Sequence, residues 1–430
     1  MTLGKKQLVA VAGFAVLVVF AMGFFHLFPG ANLVGASAAA PMAPQATAQS
    51  RNAAIPGAYS FAVSVKQFGA VGNGKHDDTA AIQRAIDFAG YHHSQWKADG
   101  LAHELVIFPP GQYRITGPLK LGPADVNMEL RGAAGAGAGW TDPAFRPVGE
   151  PPQGVSSLVW AGPKGGTMLQ LVGSGGIKIS DLTFLGEGIA GKGITVNSPA
   201  AYGFGDAMFS RLMFTNMNTG IACGTHSYIC SGDITLMDTS FQSCHTGFLT
   251  LSDQNLDYLF LRCTAVNCNT ALHFYKGGSV DGQLFTTYNV HTVVQIDHGG
   301  INAGTYCFDA MRVDGDGTHF RTVVLRAKGE TNVHFTSLDL IISGVQRFPK
   351  VPAFILGPTA NVDVSSSLIT GNVAVLTGSK SGPPTWIQFN NCRFRQNPLP
   401  LMKCDAYAGY AFTNCVSGNT MIHSFHHYAK

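Results

Sequence analysis

Short segments that alternate apolar and polar residues recur along the chain at a nearly constant interval. Each is entered through a Thr or Ser, at positions 219, 246, 270, 292, 318, 343 and 370, so the steps are 27, 24, 22, 26, 25 and 27 residues. Lys192-Gly193-Ile194 fits one step earlier. Repeats of this length are typical of a solenoid, because one coil cannot bury its apolar side chains alone and needs a neighbour stacked against it. The pattern predicts an all-β fold, a parallel β-helix with eight marked coils between about residues 177 and 373.

The same alternation predicts which polar side chains meet on the outside of the coils. Side chains along a strand point alternately inward and outward, so outward residues of stacked coils become neighbours. We therefore expect one polar patch on neighbouring coils, with candidate catalytic residues His273, Tyr275, Asp297 and Arg321 and candidate substrate-binding residues Lys276, His298 and Asp253. These residue types supply acids, bases and cations that could hold a sugar carboxylate. The alternative is that the polar residues merely coat the outside of a solenoid.

A separate motif near residue 70 carries the most specific local signal. A glycine-studded turn over residues 69–74 leads into Asp77 and Asp78, and either carboxylate can accept hydrogen bonds from the free amides of a helix start. The next apolar residues fall on one helical face, which predicts a helix from Asp78 to Ala89. Both aspartates are therefore interpreted as structural caps. Strands are expected at Leu105–Phe108 and over residues 113–121.

These residues also carry a family resemblance. The run from Phe68 to Asp87, together with Phe108-Pro109-Pro110-Gly111-Gln112-Tyr113, resembles the opening of the pectate-lyase superfamily domain of rhamnogalacturonase-like and epimerase-like proteins. The resemblance implies a right-handed, single-stranded parallel β-helix with an N-terminal capping helix. It does not imply a reaction, since hydrolases, lyases and non-catalytic proteins share this opening. The chain lacks the Asn-Thr-Asp, Gly-His-Gly and Arg-Ile-Lys motifs of polygalacturonase-like hydrolases and the Asp-Pro-His-Glu of alginate epimerases.

The amino-terminal segment predicts the compartment. Lys5 and Lys6 precede an apolar run from Leu8 to Phe25, and small residues follow near Ala38, as in an export signal. The run is long enough to remain as a membrane anchor, so cleavage and retention are both open. We expect an exported protein, which is periplasmic, secreted or anchored at the cell envelope. The predicted organisation is a signal peptide or anchor at 1–36, an Ala/Pro-rich linker at 37–60 and a β-helix domain at 61–430, comprising cap and first coils at 61–131, a rim loop at 132–155 and stacked coils at 156–420.

Composition narrows the choice of partners. Only 12% of residues are charged and the net charge is +3 without basic runs, so we expect no nucleic-acid partner. Nine cysteines are present. Cys244 and Cys268, and likewise Cys392 and Cys415, are spaced as stacked ladders, which are expected to be reduced although a disulfide is open. The best disulfide candidates are Cys223 and Cys230, on either side of a short loop.

Two functions remain after this reading. The first is an exported enzyme acting on polysaccharide, a lyase or glycoside hydrolase of a uronate-containing polymer. The second is a non-catalytic cell-envelope or polysaccharide-binding β-helix protein. The expected partner is a polysaccharide, with membrane contact only through a retained anchor and with the oligomeric state, a trimer included, left open.

No cofactor is expected, and calcium is left open without a clear motif. Asp314-Gly315-Asp316-Gly317 resembles a calcium loop, but Thr318 and His319 occupy later ligand positions, which favours an ordinary turn. His423, His426 and His427 lack metal-ligand spacing and are expected in a frayed terminus.

Overall fold

The computed structural model describes residues 60–95, 103–134, 154–197, 205–224, 232–253, 256–298, 305–316, 322–343, 351–370, 372–395 and 402–428. These residues belong to one compact unit, Pro56–Lys430. The predicted signal and linker, Arg321 and most of the predicted rim loop lie outside the described residues. No helix in the described ranges is long and apolar enough to cross a membrane.

Two sheets wind around one apolar core, and every strand pairing in them is parallel except that of the last two strands. The first sheet contains Ser60–Ser64, Asn73–Asp77, His103–Phe108, Gly111–Ile115, Met128–Gly132, Ser156–Trp160, Lys178–Ser180, Leu182–Leu185, Ala207–Ser210, Met213–Thr215, Ile234–Met237, Ser240–Gln242, Tyr258–Leu261, Thr264–Val266, Val280–Gln283, Thr286–Tyr288, Thr305–Asp309, Arg312–Asp316, Thr331–Thr336, Asp339–Ser343, Ala360–Ser365, Leu368–Ile369, Thr385–Asn390, Arg393–Phe394, Ala408–Ser417 and Thr420–Tyr428. The second sheet contains Leu119–Leu121, Thr167–Val172, Lys192–Asn197, Thr219–Cys223, Thr246–Thr250, Thr270–Phe274, Thr292–Ile296, Val323–Ala327, Pro352–Leu356, Asn372–Leu376 and Met402–Cys404. The predicted all-β parallel β-helix is confirmed.

A typical coil has three short strands separated by two sharp corners. Ile234–Met237 and Ser240–Gln242 lie in the first sheet and Thr246–Thr250 lies in the second. The corner residues Asp238 and Ser243 have φ angles of 51°, in the left-handed region that lets the chain change direction within one residue. Most of these corners carry Asp, Asn, Ser or Arg rather than Gly. Short polar side chains tolerate this conformation best, which explains the many Asp and Asn residues between strands.

The marking residues stack as predicted over the middle of the solenoid. Lys192, Thr219, Thr246, Thr270 and Thr292 are successive register partners in the second sheet. The Gly that often follows the mark makes room for a core ring. A Cβ added at Gly220 would lie 2.6 Å from Cδ1 of Phe241. The Thr-Gly pattern is therefore a packing requirement of the coil.

The predicted register was wrong beyond Thr292. The partner of Thr292 is Val323 rather than Thr318, and Ser343 lies in the first sheet opposite Asp316. The second-sheet strand near Thr370 begins at Asn372. Val294, Leu325 and Phe354 are in register, so the coils lengthen to 31 and then 29 residues. In these longer coils Thr and Ser residues still recur at a similar sequence interval, but they no longer occupy the same position in each coil.

Aromatic rings fill the core in ladders. Phe184, Phe214 and Phe241 are fully buried on consecutive coils, with stacked ring centroids 4.8 and 5.5 Å apart. The predicted cysteine ladder is also present, because Cys244 and Cys268 are buried, free thiols on adjacent coils. Each Sγ donates to a backbone carbonyl of the preceding coil. Cys223 is buried and Cys230 lies outside the described residues, so their disulfide stays a prediction.

The N-terminal cap confirms the structural interpretation of the two aspartates. The helix spans Thr79–Gln95 and follows a 3-10 helix at Val65–Phe68. Asp77 Oδ1 accepts a hydrogen bond from the Thr79 amide at 3.1 Å. The buried Asp78 carboxylate accepts from the amides of Val71 and Gly72 at 2.7 and 3.0 Å, which fixes the glycine turn.

Two local predictions were wrong. Asp314 lies in the strand Arg312–Asp316 and pairs with the Arg312 guanidinium at 2.9 Å, so the segment is not a turn. The three C-terminal histidines lie in the strand Thr420–Tyr428, which pairs antiparallel with Ala408–Ser417 and is not frayed. In both cases backbone pairing with a neighbouring strand outweighs the turn-forming or terminal character of the residues.

Candidate functional site

The candidate site lies on the outer face of the second sheet, on adjacent coils. In the strand Thr270–Phe274 the side chains of Leu272 and Phe274 are fully buried, which places His273 on the outside. In the next strand Val294 and Ile296 are buried in the same way, so Gln295 faces outward beside His273. The chain continues directly into Asp297, whose amide donates to the Phe274 carbonyl at 3.0 Å. Alternation and stacking thus bring side chains 24 residues apart into contact.

His273 and Asp297 form a hydrogen-bonded pair. His273 Nε2 lies 2.8 Å from Asp297 Oδ2, and Gln295 Nε2 donates to both carboxylate oxygens at 3.2 Å. The two side chains are 20% and 14% exposed, so they are accessible to a ligand but shielded from bulk water. Lys328, on the following coil, places Nζ 3.5 Å from Asp297 Oδ1. Three donors therefore converge on one carboxylate.

This environment fixes the charge of Asp297. Burial alone would raise the pKa of Asp297, but the hydrogen bonds of His273 and Gln295 and the charge of Lys328 together hold its pKa below the usual range. An ionised carboxylate only accepts hydrogen bonds, so Nε2 of His273 carries the proton. In the neutral ring Nδ1 is then the acceptor, and no described residue hydrogen-bonds it. His273 is thus held in the tautomer of a general base.

A tyrosine and a lysine follow His273 along the chain. Lys276 Nζ lies 3.1 Å from Asp253 Oδ2 on the preceding coil. Tyr275 stands between His273 and His298, with ring centroids 6.4 and 5.7 Å apart and nearly perpendicular planes. We call the outward residues His273, Tyr275, Lys276, Gln295, Asp297, His298 and Lys328, with Asp253, the His273 cluster.

Sequence reasoning placed most of this cluster. The structure joins the predicted residues by three contacts: His273 with Asp297, Tyr275 with His298, and Lys276 with Asp253. Arg321, the fourth catalytic candidate, lies outside the described residues. Lys328 and the role of Gln295 were missed. The β-rich run Val323-Val324-Leu325 was the signal for Lys328, because it marks the strand that continues the second sheet.

In the described part of the chain, no group of three or more His, Cys, Asp or Glu side chains is arranged to hold a metal ion.

The fold and this patch define a class of protein, a parallel β-solenoid with polar side chains on the outer face of one sheet. Residues 62–138 match the family model described as rhamnogalacturonase A/epimerase, pectate lyase-like. The matched segment includes the run from Phe68 to Asp87, so the family resemblance of the amino-terminal motif is confirmed over that part of the chain.

Other proteins are similar in part of the sequence or in fold. A stretch of 54 residues is 50% identical to the plasmin and fibronectin-binding protein A of Streptococcus pneumoniae, and it covers 13% of this chain and 6% of that protein. The structure of ORF18 of Geobacillus virus E2 has 14% identity and a TM-score of 0.41, over 85% of this chain and 63% of that one. The structure of DFA-IIIase from Arthrobacter chlorophenolicus A6 without its lid has 10% identity and a TM-score of 0.50, over 81% of this chain and 92% of that one. At this identity the last similarity shows the fold alone.

Proposed function

We propose that the protein is a polysaccharide lyase, which cleaves a uronate-containing polymer by β-elimination at the His273 cluster. The observation that carries the proposal is the 2.8 Å contact between His273 Nε2 and an ionised Asp297, with two lysines on the same face. A base and nearby cations are the groups that this reaction requires.

The reaction would use the cluster as follows. His273 Nδ1 removes the proton at C5 of a uronate, next to the sugar carboxylate. The electron pair of that C–H bond forms the C4–C5 double bond, and the bond from C4 to the glycosidic oxygen breaks. Negative charge gathers on the sugar carboxylate during this step, where Lys276 and Lys328 can stabilise it. The leaving oxygen takes a proton from water or from Tyr275, which then regains one from solvent, and His273 returns its proton to solvent.

Hydrolysis fits the same residues less well. Glycoside hydrolases generally need two carboxyl groups, one of which is protonated at working pH through a raised pKa. In the His273 cluster Asp253 is paired with Lys276, and the pKa of Asp297 is lowered. Neither is therefore suited to protonate a leaving group.

The test is a panel of uronate-containing and neutral polysaccharides, with two readouts, the ultraviolet absorbance of unsaturated sugars and the number of new reducing ends. We expect both signals to rise together on a uronate polymer. Replacing His273→Ala or Asp297→Asn should lower the rate on it by about 10²- to 10⁴-fold. Reducing ends without unsaturated sugar would instead indicate hydrolysis and contradict the proposal.

His334→Ala is the matched control. His334 forms a similar cross-strand contact with a carboxylate, 3.8 Å from Asp363, but it lies on the first sheet. Its replacement should leave the rate unchanged. An equal loss of rate in His334→Ala and His273→Ala would indicate that the catalytic site is not the His273 cluster.

We further propose that the reaction needs no metal ion. In this proposal Lys276 and Lys328 supply the positive charge that a bound cation would otherwise bring to the uronate carboxylate. Treatment with EDTA should therefore leave the rate unchanged, whereas Lys276→Gln should lower it. Loss of activity in EDTA that calcium restores would contradict this proposal.

A binding protein without catalysis is the second candidate. The local 50% identity to a plasmin and fibronectin-binding protein supports it, although the matched stretch is a small part of both chains. Binding of a uronate polymer with neither product signal, in the wild type as in Asp297→Asn, would favour this candidate.

We propose that the protein acts outside the cytoplasm. Support comes from Lys5, Lys6 and the apolar run from Leu8 to Phe25. Fractionation of cells that express the full chain should place it in the periplasm, medium or envelope. Recovery of the intact chain from the cytosol would contradict this localisation.

A further inference from the structure

A cavity lies at the end of the second-sheet strands opposite to the His273 cluster, on earlier coils. It is an open groove of about 510 Å³ with two lysines, Lys164 and Lys192, two asparagines, Asn216 and Asn218, and Ser243 among its lining residues. We call it the Lys192 groove. It begins where the strands Lys192–Asn197 and Thr219–Cys223 begin, whereas the His273 cluster lies where later strands end. The groove is thus separate from the proposed catalytic patch.

Glycines shape the groove. Gly165 and Gly188 have φ angles of 81° and 71°, and a Cβ at Gly191 would collide with the Gly165 carbonyl. The Gly165 amide donates to the Ile189 carbonyl at 2.8 Å, and the Gly188 amide donates to Asn216 O at 2.8 Å. Three consecutive coils are therefore tied together at the groove wall by the backbone, which gives a preformed shape.

Lys192 occupies a stacked position at which the neighbouring coils have Thr. The register positions on either side of it hold Thr167 and Thr219, and the next coils hold Thr246 and Thr270. Packing at this position is satisfied by a small hydroxyl side chain, so the fold does not require a lysine. The exception occurs at the coil where the cavity opens.

The two lysines of the groove have no carboxylate partner among the described residues, since the ion pairs there include neither Lys164 nor Lys192. Ile189, which also lines the groove, is an apolar side chain that is 37% exposed. Two cations, neutral amide and hydroxyl groups and an apolar contact match the parts of an acidic sugar, namely its carboxylate, its hydroxyls and the face of its ring.

We infer that the Lys192 groove is a second binding site, specific for a carboxylated sugar unit of an acidic polysaccharide. The inference goes beyond the proposed lyase activity, because it concerns binding away from the His273 cluster. Lys164 and Lys192 neutralise the sugar carboxylate, and Asn216, Asn218 and Ser243 bind hydroxyl groups. A polymer bound in the Lys192 groove stays close to the His273 cluster between cleavage events.

The test uses trigalacturonate as the probe with the full chain. Hydrogen–deuterium exchange should show protection of residues 186–192 and 216–218 when the probe is added. Calorimetric titration of Lys192→Thr should show about tenfold weaker binding at this site, equivalent to about 1.4 kcal/mol, because the variant loses a charge-assisted hydrogen bond to the sugar carboxylate. Lys192→Thr restores the residue type of the neighbouring coils, so the variant is expected to fold. Lys164→Gln should have a similar effect.

Lys178→Gln is the matched control, because Lys178 is an exposed lysine on the first sheet that does not line the groove. Its affinity should equal that of the wild type. Maltotriose and inorganic phosphate should give no protection at 186–192. If maltotriose gave equal protection, the groove would bind sugars without requiring a carboxylate, and if phosphate did so, it would bind anions in general. Either result, or an affinity of Lys192→Thr equal to that of the wild type, would overturn the proposal. His273→Ala should keep the protection, so failure of the lyase proposal is distinguishable from failure of this one.

Discussion

Asp125 has a nearly buried carboxylate beside the N-terminal cap. Its Oδ2 accepts a hydrogen bond from the Gly122 amide at 2.6 Å, and Oδ1 lies against Gly90 of the helix Thr79–Gln95. Burial, against the opposing hydrogen bond from the Gly122 amide and with a smaller contribution from the Asp87 carboxylate, raises the pKa of Asp125 to about 6. The folded state therefore holds this proton more tightly than the unfolded chain does. Stability from this group is present below about pH 4 and is lost as the pH rises through 6.

Asp125→Asn should stabilise the protein only at the higher pH. The neutral amide keeps an acceptor for Gly122 and removes the cost of a buried charge, which for a shift of about two pKa units is on the order of 3 kcal/mol. Thermal unfolding should show a Tm a few degrees above wild type at pH 8 and no gain at pH 4. The exposed Asp281→Asn is the control and should show no such dependence. A gain of equal size at both pH values would argue against a buried charge as the cause.

For single residues, the sequence predicts which side chains point outward but not which of them are ionised. Alternation correctly placed His273 and Asp297 outside and Leu272 inside. It could not give the ionisation of Asp297, because that depends on the combined contacts of His273, Gln295 and Lys328, and Lys328 reaches Asp297 from another coil. Lys328 was missed because the sequence repeat lengthens after Thr292, and spacing alone does not show where extra residues are placed.

At the level of elements, the N-terminal cap depends on two adjacent aspartates with different tasks. Asp78 is fully buried and accepts from two backbone amides of the glycine turn, while Asp77 is exposed and caps the helix start. Asp78→Ala should lower the free energy of unfolding by about 2–4 kcal/mol, because two backbone amides lose a fully buried acceptor. Asp77→Ala should cost about 1 kcal/mol, typical of an N-cap. Denaturant unfolding followed by circular dichroism measures both, and an equal cost would contradict this division of tasks.

The corner residues show a feature that the sequence pattern does not predict. Asp181 and Arg211 stand on neighbouring coils and form a bidentate ion pair at 2.6 Å, and Asp238 and Arg262 repeat the arrangement at 2.7 and 2.8 Å. An Arg at a left-handed corner is not a typical turn signal. Its position is set by stacking on the Asp of the coil below, which single-strand patterns do not reveal.

Across the whole molecule, stability should be distributed coil by coil. Each coil of a solenoid contacts mainly its immediate neighbours, so damage is expected to stay local. Phe241→Ala removes a buried ring from the stack with Phe214 and should cost about 3–5 kcal/mol. Hydrogen exchange should increase in Met213–Thr215 and Thr264–Val266 and remain unchanged in Thr385–Asn390.

Phe88→Ala is the control for this experiment. Phe88 is 38% exposed on the capping helix, so its loss should cost less than Phe241→Ala. A uniform rise in exchange over all coils of the Phe241→Ala variant would show that the solenoid unfolds as one cooperative unit.

The sequence by itself determined the class of fold, the amino-terminal cap and most members of the His273 cluster. It could do so because a solenoid converts sequence spacing into spatial stacking, and because alternation within a strand separates inward from outward residues. The family resemblance near residue 70 agreed with this reading and is confirmed over residues 62–138.

Only the tertiary structure decided which residues of the longer coils share a register, which carboxylates are ionised, and where a cavity opens. Val323 rather than Thr318 follows Thr292, Lys328 joins Asp297, and Lys192 lines a groove. Each of these depends on contacts between coils that are separated by loops of different length. The charge on Asp297 and the shape of the Lys192 groove are properties of three-dimensional neighbours, and sequence spacing does not encode them.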